Sequence, residues 1–126
     1  MQASSFDCKV GISTIKFSID EFGKISIKQP MLNEIIIQKE QLQKIYFTNQ
    51  SDALPGMGYC FSLYFEYNKN GKVKRKRFIL PWEQASCVDL LIFLKNTFVE
   101  KSFIGINEIE KEKVLSANYS ASHWLY

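Results

Sequence analysis

The chain has 126 residues, 46% of them hydrophobic, interrupted by only three prolines and six glycines. That composition suits one domain able to bury roughly two-thirds of the surface its unfolded chain would expose, and it excludes long disordered tracts. Met1 to Ser13 has no basic start followed by an apolar run, and nowhere do enough apolar residues run together to cross a bilayer as a helix, so a soluble, cytoplasmic, non-exported protein is expected.

Phe6, Cys8, Val10 and Ile12 alternate as a strand, and Ile15, Phe17 and Ile19 continue on the opposite parity. The phase break at Ser13-Thr14 predicts a β-bulge. Asp20 to Gly23 reads as a turn, with Lys24 to Lys28 returning as a strand that points Ile25 and Ile27 inward. Pro30 closes this unit, Glu34 to Ile37 is β-branched, and Leu42, Ile45 and Phe47 open either another strand or a short helix after the polar Gln38 to Gln41. Ser51 to Gly58, rich in turn formers, is expected to be a loop.

The next segment carries the firmest local signal. Placing Asn70-Gly71 at the centre of a type I′ turn pairs Lys69 with Lys72, Tyr67 with Lys74, Phe65 with Lys76, Leu63 with Phe78 and Phe61 with Leu80. Phe61, Leu63, Phe78 and Leu80 then share one face, while Glu66 meets Arg75 and Tyr64 meets Arg77 on the other. The net charge of +3 is modest, but Lys69, Lys72, Lys74, Arg75, Lys76 and Arg77 bring six cations into nine residues and leave the remainder net negative. The base of this hairpin is expected in the core and its basic tip in water.

After Pro81-Trp82 the apolar period lengthens: Cys87, Leu91, Leu94 and Phe98 recur at helical spacing, predicting an amphipathic helix over about 83–99. Val88, Ile92 and Val99 form a second apolar strip, expected to be covered, and Phe93 stands among polar residues with the C-terminal tail as its expected contact. Beyond the helix, Ile104-Gly105-Ile106 is expected to be extended and Asn107 to cap a short helix reaching Leu115. Trp124, Leu125 and Tyr126 form an apolar end that either folds back or docks on another subunit. Cys8, Cys60 and Cys87 are odd in number, widely spaced and in apolar patterns; buried free thiols are expected, with no metal site, since His123 is the lone histidine.

Two stretches, Ile37 to Phe47 and Phe78 to Phe98, together with the order of meander, loop, basic hairpin and late helix, resemble the pleckstrin-homology-like domains, particularly their bacterial and GRAM-type versions. The likeness spans about residues 6 to 100 and lies in element order rather than in diagnostic residues. It implies a mainly β (α+β) fold: a partly open β-barrel of two packed antiparallel sheets over 1–103 with one C-terminal helix, followed by an extension over 104–126. It also implies binding rather than catalysis. Lipid-binding members cluster cations around the loop joining their first two strands; here Lys16, Lys24 and Lys28 would flank that loop, but Asp20 and Glu21 would sit at its tip. An OB-like barrel is the alternative, although its helix normally comes earlier.

The function expected is therefore a non-catalytic binding or assembly module without cofactor, its partner a protein or an anionic membrane surface, with homodimerisation open. A nucleic-acid-binding small barrel is the second reading, and an enzyme whose site sequence spacing conceals is the third. For a charged partner the candidate residues are Lys72, Lys74, Arg75, Lys76 and Arg77, with Tyr67 as a stacking surface; for a protein partner they are Phe93, Trp124, Leu125 and Tyr126. Against these stands the simpler reading that a lysine-rich tip is a solvated face that blocks edge-to-edge association.

Overall fold

The computed structural model describes residues 2–54, 58–98 and 103–105. It is mainly β, built of two sheets and one helix. β1 (Ser4–Val10), β2 (Ser13–Ile19), β3 (Ile25–Lys28) and β4 (Ile35–Ile37) form an antiparallel meander in sequential order. β5 (Leu42–Leu54), β6 (Gly58–Lys69) and β7 (Lys72–Pro81) form a second meander, and β8 (Phe103–Gly105) adds to its β5 edge in parallel. α1 (Ala85–Thr97) follows β7 and packs against β1. The two sheets do not close into a continuous barrel.

Local chemistry accounts for the turns. Asn70 and Gly71 take φ of 55° and 79°, as a type I′ turn demands, and the Gly71 amide donates to Asn68 Oδ1 at 3.1 Å. Every strand pair expected from that turn is the pair observed. At the β2–β3 turn, Asp20 Oδ1 accepts from the Phe22 and Lys24 amides, both at 2.9 Å. The side chain thereby takes up two amides that the turn would otherwise leave to water.

The expected bulge at Ser13-Thr14 is instead a hairpin. Val10 pairs with Ser13 across Gly11 and Ile12, with Gly11 at φ 64°. A two-residue turn flips the parity of inward positions just as an inserted residue does, so alternation alone does not separate the two. Ser51 to Leu54 likewise belongs to β5 rather than to a loop, carried past a register irregularity after Asn49. Leu42 to Phe47 is strand, not helix, and Gln38 to Gln41 is a tight turn in which the Gln41 amide donates to Gln38 O at 2.9 Å. In β8 the extended residues are 103–105; Ile106, the Asn107 cap and the remainder of the 104–126 segment lie outside the described residues.

The core lies between the sheets and under the helix. Phe17 of β2 meets Phe78 edge-on at 5.3 Å and Phe65 at 6.4 Å, so one aromatic trio joins the two sheets. Cys87, Leu90, Leu91, Leu94 and Phe98 are buried, as the helical stripe predicts. Of the second strip, Val88 is half-buried, whereas Ile92 is 51% exposed. Val99 falls outside the described residues. Phe93 packs on Phe6 of β1, ring centroids 5.5 Å apart; the tail expected to contact it lies outside the described residues.

The N-terminus of α1 lacks a side-chain cap from Gln84. Ser86 ties it down by donating to the Asp7 carbonyl at 2.6 Å. Cys8, Cys60 and Cys87 are buried free thiols. A hydrogen bond to Cys87 and burial hold the Cys8 thiol protonated far above its ordinary range, and Cys87, on the receiving side of that bond, moves down. No helix among the described residues is long and apolar enough to cross a membrane.

Candidate functional site

The register of the β6–β7 hairpin decides where its cations point. Side chains alternate across a strand, so Lys72, Lys74 and Lys76 lie on the same face as Phe78 and Leu80, and Lys69 opposite Lys72 joins them. That face is the one carrying the core. At the base of the hairpin it is filled by phenylalanine and leucine; toward the tip, where the sheets part, lysines replace them.

Arg75 and Arg77 lie on the opposite face, and both are engaged there. Arg75 Nε donates to Glu66 Oε1 at 3.0 Å. Arg77 donates to Ser62 Oγ through Nε and Nη2 at 3.3 and 3.2 Å and sits over the Tyr64 ring at 5.8 Å. The six cations that look like one cluster in the sequence are therefore two sets, one of four lysines and one of two occupied arginines. Among the described residues, no ion pair engages Lys69, Lys72, Lys74 or Lys76.

The lysines form one wall of a cleft of about 670 Å³. The opposite wall comes from the other sheet, through Gln29, Leu32, Asn33 and Glu34 of the β3–β4 loop and Ile35 of β4. Tyr67 and Phe78 form its floor, Asn70 and Arg77 border it, and among the described residues Glu34 is the one carboxylate in its lining. Cations and side-chain amides around an apolar floor present positive charge and hydrogen-bond donors, neither of which needs a proton transfer to act.

Tyr67 does not serve as the stacking surface expected of it. It is 4% exposed, within the core, and burial pushes its phenol up from its ordinary range. A ring in the floor under the lysines is not free to lie flat against a base. The loop joining the first two strands is also not the one expected: it is Gly11-Ile12, whereas Asp20 and Glu21 belong to the next turn, at the other end of the sheet. The two carboxylates expected to repel an anion therefore stand away from the cleft.

The β3–β4 loop contains one strained residue. The Leu32 amide donates to Gln29 O at 3.3 Å, closing a turn with Pro30 second and Met31 third, at φ 61°. Glycine or asparagine is the relaxed choice for a positive φ at that position of a type II turn, and another residue costs roughly 1 kcal/mol. Met31 is nevertheless fully exposed, and Leu32 beside it is 65% exposed.

Among the described residues no group of three or more His, Cys, Asp or Glu is placed to hold a metal ion. Phe93, half-buried against Phe6, has part of its surface already occupied; Trp124, Leu125 and Tyr126 lie outside the described residues. The cleft was missed in the sequence because its two walls are far apart in the chain. The signal for its lysine wall was present, since Lys72, Lys74 and Lys76 continue the inward parity of Phe78 and Leu80. Compared with known protein families, curated proteins and solved structures, the chain matches none.

Proposed function

We propose that this protein is a non-catalytic binding module that takes an anionic ligand in the cleft between the β3–β4 loop and the β6–β7 hairpin. The observation that carries the reading is the row of four lysines without ion-pair partners among the described residues, held on the inward face of the hairpin over an apolar floor. Maintaining like charges side by side on the core-bearing face opposes folding unless a counter-charge arrives, which is the condition an anion site creates.

The architecture supports the same reading. A four-stranded meander, a three-stranded meander and a closing helix are the element order of the pleckstrin-homology-like domains, whose business is holding ligands. The nucleic-acid alternative loses its stacking residue, since Tyr67 is in the floor.

The test is titration of the purified chain with inositol hexakisphosphate, a compact soluble polyanion, at low and at physiological salt. Saturable binding that weakens with salt is expected. No binding at low salt overturns the proposal.

A further inference from the structure

We infer that Cys8 and Cys87 are a redox-active thiol pair, which a hydroperoxide converts to a disulfide joining β1 to α1. Both residues lie outside the lining of the lysine cleft, so the pair is independent of the anion-binding reading.

Contacts on either side of the thiols hold the strand and the helix in a fixed register. Phe6 packs on Phe93 with ring centroids 5.5 Å apart, and Ser86 Oγ donates to the Asp7 carbonyl at 2.6 Å. Asp7 and Ser86 are the immediate chain neighbours of Cys8 and Cys87, and Cys8 shares the inward side of β1 with Phe6 because alternate residues of a strand share a face. The thiols therefore meet, hydrogen-bonded to each other, and both are fully buried in the one core. Two sulfurs in hydrogen-bond contact, on elements already tied together one residue away, need little movement to close a disulfide.

The two thiols are not equivalent. Cys8 donates the hydrogen bond between them, which favours the thiolate on Cys87, and a hydrogen bond from Ser86 adds to the effect. Cys87 also stands in the first turn of α1, where the free amide ends of a helix favour negative charge and no acidic side chain opposes it. Cys87 is thus the nucleophile and Cys8 the resolving thiol. The Cys87 thiolate attacks one peroxide oxygen, the O–O bond breaks, and the departing hydroxide takes up the proton that Cys87 released, leaving a sulfenic acid. Cys8, freed of the bond that held its proton, then attacks the Cys87 sulfur; its proton goes to the sulfenic oxygen, which leaves as water. The two thiols have lost two electrons and the peroxide has been reduced to two waters. Burial favours so small an oxidant. The first turn of α1 has no side-chain cap from Gln84 and is tied down by Ser86, so fraying of that turn opens the way to Cys87.

The experiment treats the reduced, folded chain with hydrogen peroxide, unfolds it in urea with N-ethylmaleimide, and reads intact mass and proteolytic peptides. A peptide cross-linked through Cys8 and Cys87 is expected, with Cys60 alkylated, and dithiothreitol should reverse it. The bond closes a loop of about 80 residues, so the oxidised chain should melt about 10 °C or more above the reduced one. Cys60→Ala should still cross-link, whereas Cys8→Ala should stop at a Cys87 sulfenic acid that dimedone traps. The peptide map of the unsubstituted chain decides the pairing even where a cysteine variant fails to fold. Three alkylated thiols after peroxide treatment overturn the proposal, as does a bond between Cys60 and Cys87. Cross-linking confined to chain unfolded before treatment overturns it too, because the fold would then not be what brings the thiols together. Equal melting temperatures of the oxidised and reduced chains overturn the tie between β1 and α1.

Discussion

Neutralising two lysines and neutralising two arginines on the same strand should have very different consequences, because adjacent residues of β7 face opposite sides of the sheet. Lys74→Gln with Lys76→Gln and Arg75→Gln with Arg77→Gln each remove two positive charges from a span of three residues. The first pair removes both from the cleft wall, whereas Arg75 lies outside the cleft lining and Arg77, at its border, turns its guanidinium to Ser62 on the other face. A cation about 4 Å from an anionic group in a solvated cleft contributes about 1 kcal/mol, so losing two should cost about 2 kcal/mol, or about thirtyfold in affinity. Arg75 is paired with Glu66, and Arg77 is held by Ser62 and the Tyr64 ring, so losing the arginines should cost affinity much less than losing the lysines. Stability should run the other way. Removing Arg75 breaks an ion pair whose side chains are 28% and 12% exposed, and removing Arg77 breaks its hydrogen bonds to Ser62. Together these should lower stability by about 1–2 kcal/mol. Calorimetric titration with inositol hexakisphosphate and thermal melts of both variants give the four numbers required. Equal losses of affinity in the two variants would refute the reasoning, since binding would then follow net charge rather than the face on which the charge sits.

Three further outcomes test the fold itself. Phe17→Ala should cost about 3–5 kcal/mol, because Phe17 is fully buried and is the ring that meets both Phe65 and Phe78 across the sheets; urea unfolding measures it, and a loss under about 1 kcal/mol would mean the sheets are not joined there. Gly71→Ala should cost about 1 kcal/mol from backbone strain alone, since φ is 79° and a Cβ at Gly71 would meet nothing within 4 Å; an unchanged melting temperature would contradict the turn. Stability should fall in alkali. The hydrogen bond to Cys87 holds Cys8 protonated in the folded chain, whereas the unfolded thiol ionises around its ordinary 9.0, so this contribution is complete below that pH and declines above it. Cys60, from the same pH, and Tyr67, only above its ordinary 10.0, are both raised chiefly by burial and act in the same direction, while Cys87, being lowered, acts against them below 9.0. The urea midpoint measured on either side of pH 9 reads the slope, about 1.4 kcal/mol per pH unit for each raised group, and a flat profile would overturn the assignment.

What could be read from the sequence was what depends on neighbours in the chain. Asn70-Gly71 selects its turn because few other residues accept positive φ twice in succession, and the turn then dictates every pair down to Phe61 and Leu80. The helix could be placed for the same reason, its buried stripe at Cys87, Leu91, Leu94 and Phe98 being a property of helical spacing. The β1–β2 hairpin could not, since a tight turn and a bulge leave the same parity change in the sequence. Contacts across the fold decided the rest. Phe93 found Phe6, Tyr67 became part of the floor, and the β3–β4 loop came to face the hairpin lysines, none of which local spacing encodes. Charge in a sequence is a count; whether six cations make one patch or two depends on strand parity and on what the other sheet brings opposite them.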